Sequence, residues 1–109
     1  MSNHFVEYST LLYHEFGDKL DFWTTSNEPL SFVVYGYNTG LHAPGFHDSP
    51  TLVYEVAHNV LLSHGYAVKT FRELKSSGVI QPKARIGIVR NANQFYPVDA
   101  TMSRLQNVR

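Results

Sequence analysis

Cysteine is absent from these 109 residues. That excludes disulfide staples, a thiolate nucleophile and cysteine-based metal sites. It also fits a reducing compartment and favours a cytoplasmic address. An excess of charge of one sign is lacking too: nine Lys and Arg balance nine Asp and Glu. Nucleic acid leaves a footprint of clustered basic residues. The groupings Lys69, Arg72, Lys75 and Lys83, Arg85 are small, and Glu73 offsets the first, so they read as solvated helix face and loop. No apolar run approaches the roughly 20 residues that cross a membrane. The opening Met1-Ser2-Asn3-His4-Phe5 has neither the basic start nor the apolar stretch of a signal peptide. No His-Glu-x-x-His spacing occurs among the six histidines, and His58 and His64, six apart on a helix, point to different sides. No metal or cofactor is therefore expected. No Gly-x-Ser-x-Gly elbow supports a serine hydrolase.

The residues that are present describe a folded α/β segment. Hydrophobic residues make up 43% and charged residues 17%, which argues against disorder. Phe5, Tyr8, Leu12 and Phe16 repeat at helical spacing and predict a helix from about Asn3 to Phe16 with one apolar face. Gly17 is suited to end it. A strand follows over about Leu20 to Asn27, then a short helix over 30–36. Asn38-Thr39-Gly40, Pro44-Gly45 and Asp48-Ser49-Pro50 mark one long loop. Val53, Val56, Ala57, Val60, His64, Ala67, Val68 and Phe71 share a face, which predicts a helix from Thr51 to about Leu74, stopped by Ser76-Ser77-Gly78. Ile86-Gly87-Ile88-Val89 reads as a parallel strand buried on both faces. A loop from Asn91 to Pro97 and a partial helix over Asp99 to Leu105 close the chain. The pattern is one βαβ crossover with flanking pieces, a single partial domain over 1–109. Its two strands are expected to expose their outer edges and to invite self-association.

The most informative stretch is Thr24-Thr25-Ser26-Asn27-Glu28-Pro29. Proline disfavours the helical basin for the residue before it, so Glu28 is expected to be extended at the strand's end. Pro29 suits the first position of a helix. A carboxylate at the C-terminal tip of a strand that feeds a helix is where parallel α/β barrels keep catalytic groups. Asn27 reads either as a turn residue capping that helix or as a polar group beside Glu28. Successive strand side chains alternate faces, so the two can share one pocket only if the strand is already turning.

Thr25-Ser26-Asn27-Glu28-Pro29 resembles the Thr-Phe-Asn-Glu-Pro signature of the family 1 glycoside hydrolases, the β-glucosidases and their relatives. Glu15-Phe16-Gly17-Asp18, Gly36-Tyr37-Asn38-Thr39-Gly40-Leu41-His42-Ala43-Pro44-Gly45, Ala57-His58-Asn59-Val60-Leu61-Leu62-Ser63-His64 and Ala84-Arg85-Ile86-Gly87-Ile88-Val89 resemble family segments in the family's order. Ser26 departs from the usual aromatic or aliphatic residue.

The resemblance implies a fragment of a (β/α)8 TIM barrel, about two parallel strands with their flanking helices, since a whole barrel needs roughly 250 residues. It implies that the parent's N-terminus lies elsewhere. It implies hydrolysis of a β-glucoside or related glycoside by a retaining mechanism, with Glu28 as acid/base and Asn27 binding the sugar's 2-hydroxyl. The family's nucleophile lies in a Thr-Glu-Asn-Gly type motif on a later strand, and no such motif occurs here. Glu7, Glu15, Asp18, Asp21, Glu55 and Glu73 read as residues of helices or their ends, Asp48 as a loop residue, and Asp99 lies well past the second strand. The chain alone is therefore expected to be inactive. The alternative is a noncatalytic α/β module that binds sugar weakly or docks on a partner barrel.

Overall fold

The computed structural model describes residues 2–47 and 50–94. Five elements follow one another: α1 (Ser2–Phe16), β1 (Phe22–Asn27), α2 (Pro29–Tyr37), α3 (Pro50–Ser76) and β2 (Arg85–Val89). β1 and β2 pair in parallel, which demands a crossover, and α2 and α3 supply it. This is the expected order. The partial helix over Asp99 to Leu105 lies outside the described residues.

α3 begins at Pro50, where the missing N–H costs nothing. It runs to Ser76, two residues past the expected end. Gly78, at φ +86, makes the turn that follows, a conformation that glycine adopts freely. Ser63, Ala67 and Phe71 are its buried line, spaced four apart as a single helix face requires. Ser63 tolerates burial because its hydroxyl donates to the Asn59 carbonyl at 2.8 Å.

α1 forms where expected, but its buried face is rotated. Tyr8 and Phe16 are 58% and 44% exposed, whereas Ser9 and Tyr13 are buried. The Ser9 hydroxyl donates to the Phe5 carbonyl at 2.7 Å. That leaves a small, satisfied side chain on the buried face of α1. Gly17 ends α1 for a steric reason: a Cβ there would collide with the Tyr13 carbonyl and lie 2.8 Å from Ile80 Cγ1.

The core sits between α1, α3 and one face of the sheet. It comprises Tyr13, Phe71, Ile80 and Ala84, with Trp23, Leu74 and Ile86 packed against it. Tyr13 meets Trp23 and Phe71 edge-on, with ring centroids 5.1 and 5.4 Å apart, the arrangement that aromatic quadrupoles favour. The Trp23 indole N–H is buried without a partner among the described residues.

Burial pushes the Tyr13 hydroxyl up to about 12, with the Ser9 hydroxyl offsetting part of the shift. An unfolded tyrosine ionises near ~10. The unfolded chain therefore releases this proton first as pH rises, and stability falls between those two values. Chemical denaturation across that alkaline range should show the decline, and Tyr13→Phe should flatten it. An unchanged slope in the variant would assign the effect elsewhere.

β2 departs from expectation. None of its residues is fully buried, and Arg85 and Val89 are exposed. Ile86 packs towards the core, but among the described residues nothing covers the opposite face, where Phe22 is 77% exposed. Asp21, read from sequence as a helix-end residue, instead ties the start of β1 to the approach of β2. Its Oδ1 accepts from Gln81 Nε2 at 2.6 Å, Lys83 Nζ lies 3.1 Å from Oδ2, and its carbonyl accepts from Arg85 N at 2.8 Å. No helix of the described residues is long and apolar enough to cross a membrane.

Candidate active site at the strand tips

The pairing of β1 with β2 slips before the tip. Thr24 lies opposite Gly87, but Asn27 lies opposite Val89. Three steps along β1 thus match two along β2, a β-bulge that holds Thr25 and Ser26. A bulge re-aims the side chains beyond it. In a regular strand Asn27 would share the helix-facing side with Trp23 and Thr25. The slip places it with Thr24, Gly87 and Val89 on the open face, where it is exposed. Its side chain makes no hydrogen bond among the described residues.

Glu28 corrects a second expectation. It is left-handed rather than extended, with φ 46 and ψ 58. Proline excludes the right-handed helical basin for the preceding residue. Folding the strand directly into α2 then leaves the left-handed one, at a cost of order 1–3 kcal/mol for a non-glycine residue. Two backbone bonds hold it. Its N–H donates to the Val89 carbonyl at 2.9 Å, and its own carbonyl accepts from Ser31 N at 2.9 Å, opening α2. Bulge and left-handed turn together bend the strand at its tip.

The half-buried Glu28 carboxylate is held from one side. Ser31 Oγ donates to its Oε2 at 3.2 Å, and Asn91 Nδ2 donates to Ser31 Oγ at 3.0 Å. A hydroxyl that accepts one bond while donating another is polarised towards its acceptor. Leu30, Ser31, Val34, Tyr35, Asn91 and Asn93 line a recess of about 150 Å³ beside this chain of bonds. Ser31 and Asn91 escaped the sequence reading. Ser31 was accessible to it, being three residues after Glu28 in the first helical turn. Asn91 was accessible only as the residue just past the second strand.

The other carboxylates do not join the site. Glu7 and Glu15 are exposed on α1, and Glu55 and Glu73 on α3. Asp18 follows α1, where the Lys19 ammonium lowers its carboxyl below the usual range. Asp21 is at the opposite end of β1 from Glu28. Asp48 and Asp99 lie outside the described residues. Among the described residues no group of three or more His, Asp or Glu side chains could hold a metal ion.

Residues 1–108 match the model of glycosyl hydrolase family 1. The chain belongs to this family. It is 43% identical over 96 residues to β-glucosidase A of Acetivibrio thermocellus, covering 88% of this chain and 20% of that protein. It is 40% identical over 119 aligned positions to β-glucosidase 16 of Arabidopsis thaliana, covering 98% and 23% respectively. The family 1 β-glucosidase from Thermotoga maritima superposes with a TM-score of 0.78 at 35% identity, over 96% of this chain and 22% of that one. The chain thus spans about a fifth of the length of these relatives. They are (β/α)8 barrels, and the chain is a fragment of that fold with two parallel strands and their helices. In such barrels the C-terminal ends of the strands carry the active site. Asn27, Glu28 and Asn91 lie at those ends.

Proposed function

We propose that this chain supplies the acid/base half of a retaining β-glucosidase site, with Glu28 as the proton donor and Asn27 as a sugar ligand, and that it does not turn over alone. The observation that carries this reading is the double redirection of the β1 tip. A bulge and a left-handed glutamate bring two polar side chains to the catalytic end of a barrel strand at the expense of backbone strain, and such strain gathers at functional sites. The Thermotoga maritima relative has been solved in complex with glucoimidazole and with deoxynojirimycin, which supports a glycoside as the parent's substrate.

In the first step Glu28 gives its proton to the departing glycosidic oxygen while a second carboxylate, from elsewhere in the barrel, attacks the anomeric carbon. In the second step Glu28 takes a proton from water as the glycosyl–enzyme bond is hydrolysed. Ser31 holds Oε2 through a hydrogen bond that strengthens when the group is ionised, which leaves Oε1 to carry the proton. Asn27, on the open face, is placed to meet the 2-hydroxyl. No metal or organic cofactor enters these steps.

The test is Glu28→Gln in a complete family 1 barrel that carries this stretch. Loss of general acid catalysis should cost about 10²–10⁴-fold. The loss should be greatest for poor leaving groups and smallest for activated aryl glucosides, which need no proton in the first step. An equal loss across leaving groups would remove Glu28 from the acid role.

The unpaired outer edges of β1 and β2 favour the further proposal that the free chain self-associates. Sedimentation should show mass rising with concentration, reduced by Phe22→Lys on the open face. A monomer at all concentrations would contradict it. An associating chain that also binds sugar in the Glu28→Gln form would favour the noncatalytic, docking reading.

A further inference from the structure

We propose that His64 is a positioning residue for this site: from α3 it holds Thr25 within the β1 bulge and so fixes where Asn27 and Glu28 point. The proposal rests on the reading of Asn27 and Glu28 given above and adds the device that keeps them in place.

His64 has no role in the proton transfers. It is half-buried, and its Nδ1 lies 2.7 Å from Thr25 Oγ1. The same hydroxyl donates to the Gly87 carbonyl at 3.3 Å. A threonine hydroxyl has one proton, and a carbonyl oxygen can only accept. Both contacts are hydrogen bonds together only if the hydroxyl donates to Gly87 and accepts from His64, and that assignment makes Nδ1 the protonated ring nitrogen. One hydroxyl therefore ties α3, β1 and β2 together at the residue where the register slips.

That location gives the contact a consequence beyond packing. If β1 slid back into regular pairing, every residue after Thr24 would change its opposite number, and Asn27 would turn from the open face to the helix side. Bulges leave a residue without ladder partners, so something outside the ladder must favour the slipped register. Thr25 is fixed from both directions, by an imidazole behind it and a carbonyl beside it. Ser26, which shares the bulge, makes no side-chain hydrogen bond among the described residues. Glu28 N and the Val89 carbonyl then close the ladder beyond the slip at 2.9 Å.

The experiment reads the bulge without turnover, so its outcome is separate from that of the acid/base assignment. In the 109-residue chain, nitrogen NMR of labelled histidine should show His64 as the Nδ1–H tautomer. Thr25→Val should shift that signal, and Thr25→Ser should restore it. Hydrogen exchange should show the amides of Asn27 and Glu28 opening about tenfold faster in His64→Ala and in Thr25→Val. Ile86 and Phe71 should change only by the global stability difference measured on the same proteins. The double variant should open no faster than Thr25→Val alone, because that substitution already removes the bond that His64 makes, together with the one to Gly87. His64→Gln, which can still donate, should recover part of the protection. An Nε2–H tautomer, uniform acceleration across the core, or additive effects would each overturn the proposal. If His64→Ala does not fold, the tautomer and the Gln and Ser variants decide the matter.

Discussion

The purified 109-residue chain should fail to hydrolyse aryl β-glucosides, falling short of an intact family 1 enzyme by on the order of a millionfold, as expected when a co-operating catalytic set is broken up. A retaining mechanism needs two carboxyl groups ~5–5.5 Å apart. Glu28 has one. Among the described residues the alternatives are placed elsewhere: Glu7, Glu15, Glu55 and Glu73 on the helices, Asp18 beyond α1, and Asp21 at the far end of its own strand. Asp21 is committed as well, held by Gln81 and Lys83. An acid without a nucleophile protonates a leaving group that nothing displaces. The assay compares the chain with its Glu28→Gln variant at equal concentration, and both should match buffer. Turnover that disappears with Glu28→Gln would contradict this, because a second carboxylate would then have to reach the sugar.

Truncating the core should have an equally large effect on the fold. Phe71 is 2% exposed and meets Tyr13 and Trp23 edge-on at 5.4 and 6.5 Å. It lies where α1, α3 and β1 converge. Removing a buried phenyl costs about 3–5 kcal/mol through lost transfer energy and the cavity left behind. A whole domain is stable by only about 5–15 kcal/mol. This chain is expected at the lower end, since among the described residues its sheet is covered on one side only. Phe71→Ala should therefore lose most of its helical circular dichroism signal at room temperature, whereas Leu61→Ala, on the exposed side of the same helix, should leave it unchanged. A folded Phe71→Ala chain would place the core elsewhere.

What the sequence made legible divides along physical lines. Periodicity located α1 and α3 because helices repeat their apolar residues over many turns, and Pro29 marked the start of α2 because its missing N–H costs nothing at a first helical position, whereas Pro50, read as a loop residue, opens α3. Periodicity did not fix the buried face of α1. Ser9 and Tyr13 won over Tyr8 and Phe16, and a serine that satisfies its own hydroxyl on the helix backbone looks polar in sequence yet packs as a small residue. β2 read as doubly buried because an apolar run signals a barrel strand, while the elements that would cover its second face are not among the described residues. Glu28 and Asn27 entered as candidates through a motif. Their geometry was not legible, because a one-residue register slip and a left-handed pre-proline residue leave no periodic trace. Ser31, Asn91 and His64 illustrate the same limit. Each is tied in by a contact that exists only once the two strand tips and α3 have been brought together.

The most direct measurement of the central claim uses azide. In a complete barrel carrying this stretch with Glu28→Ala, an activated aryl glucoside should still form the glycosyl–enzyme intermediate, because its leaving group needs no proton. The intermediate should then persist, because no base activates water. Azide needs no base to attack. Added azide should therefore restore turnover and release β-glucosyl azide, with the anomeric configuration of the substrate retained. Azide that leaves the rate unchanged, or a product that remains glucose alone, would show that Glu28 is not the acid/base residue.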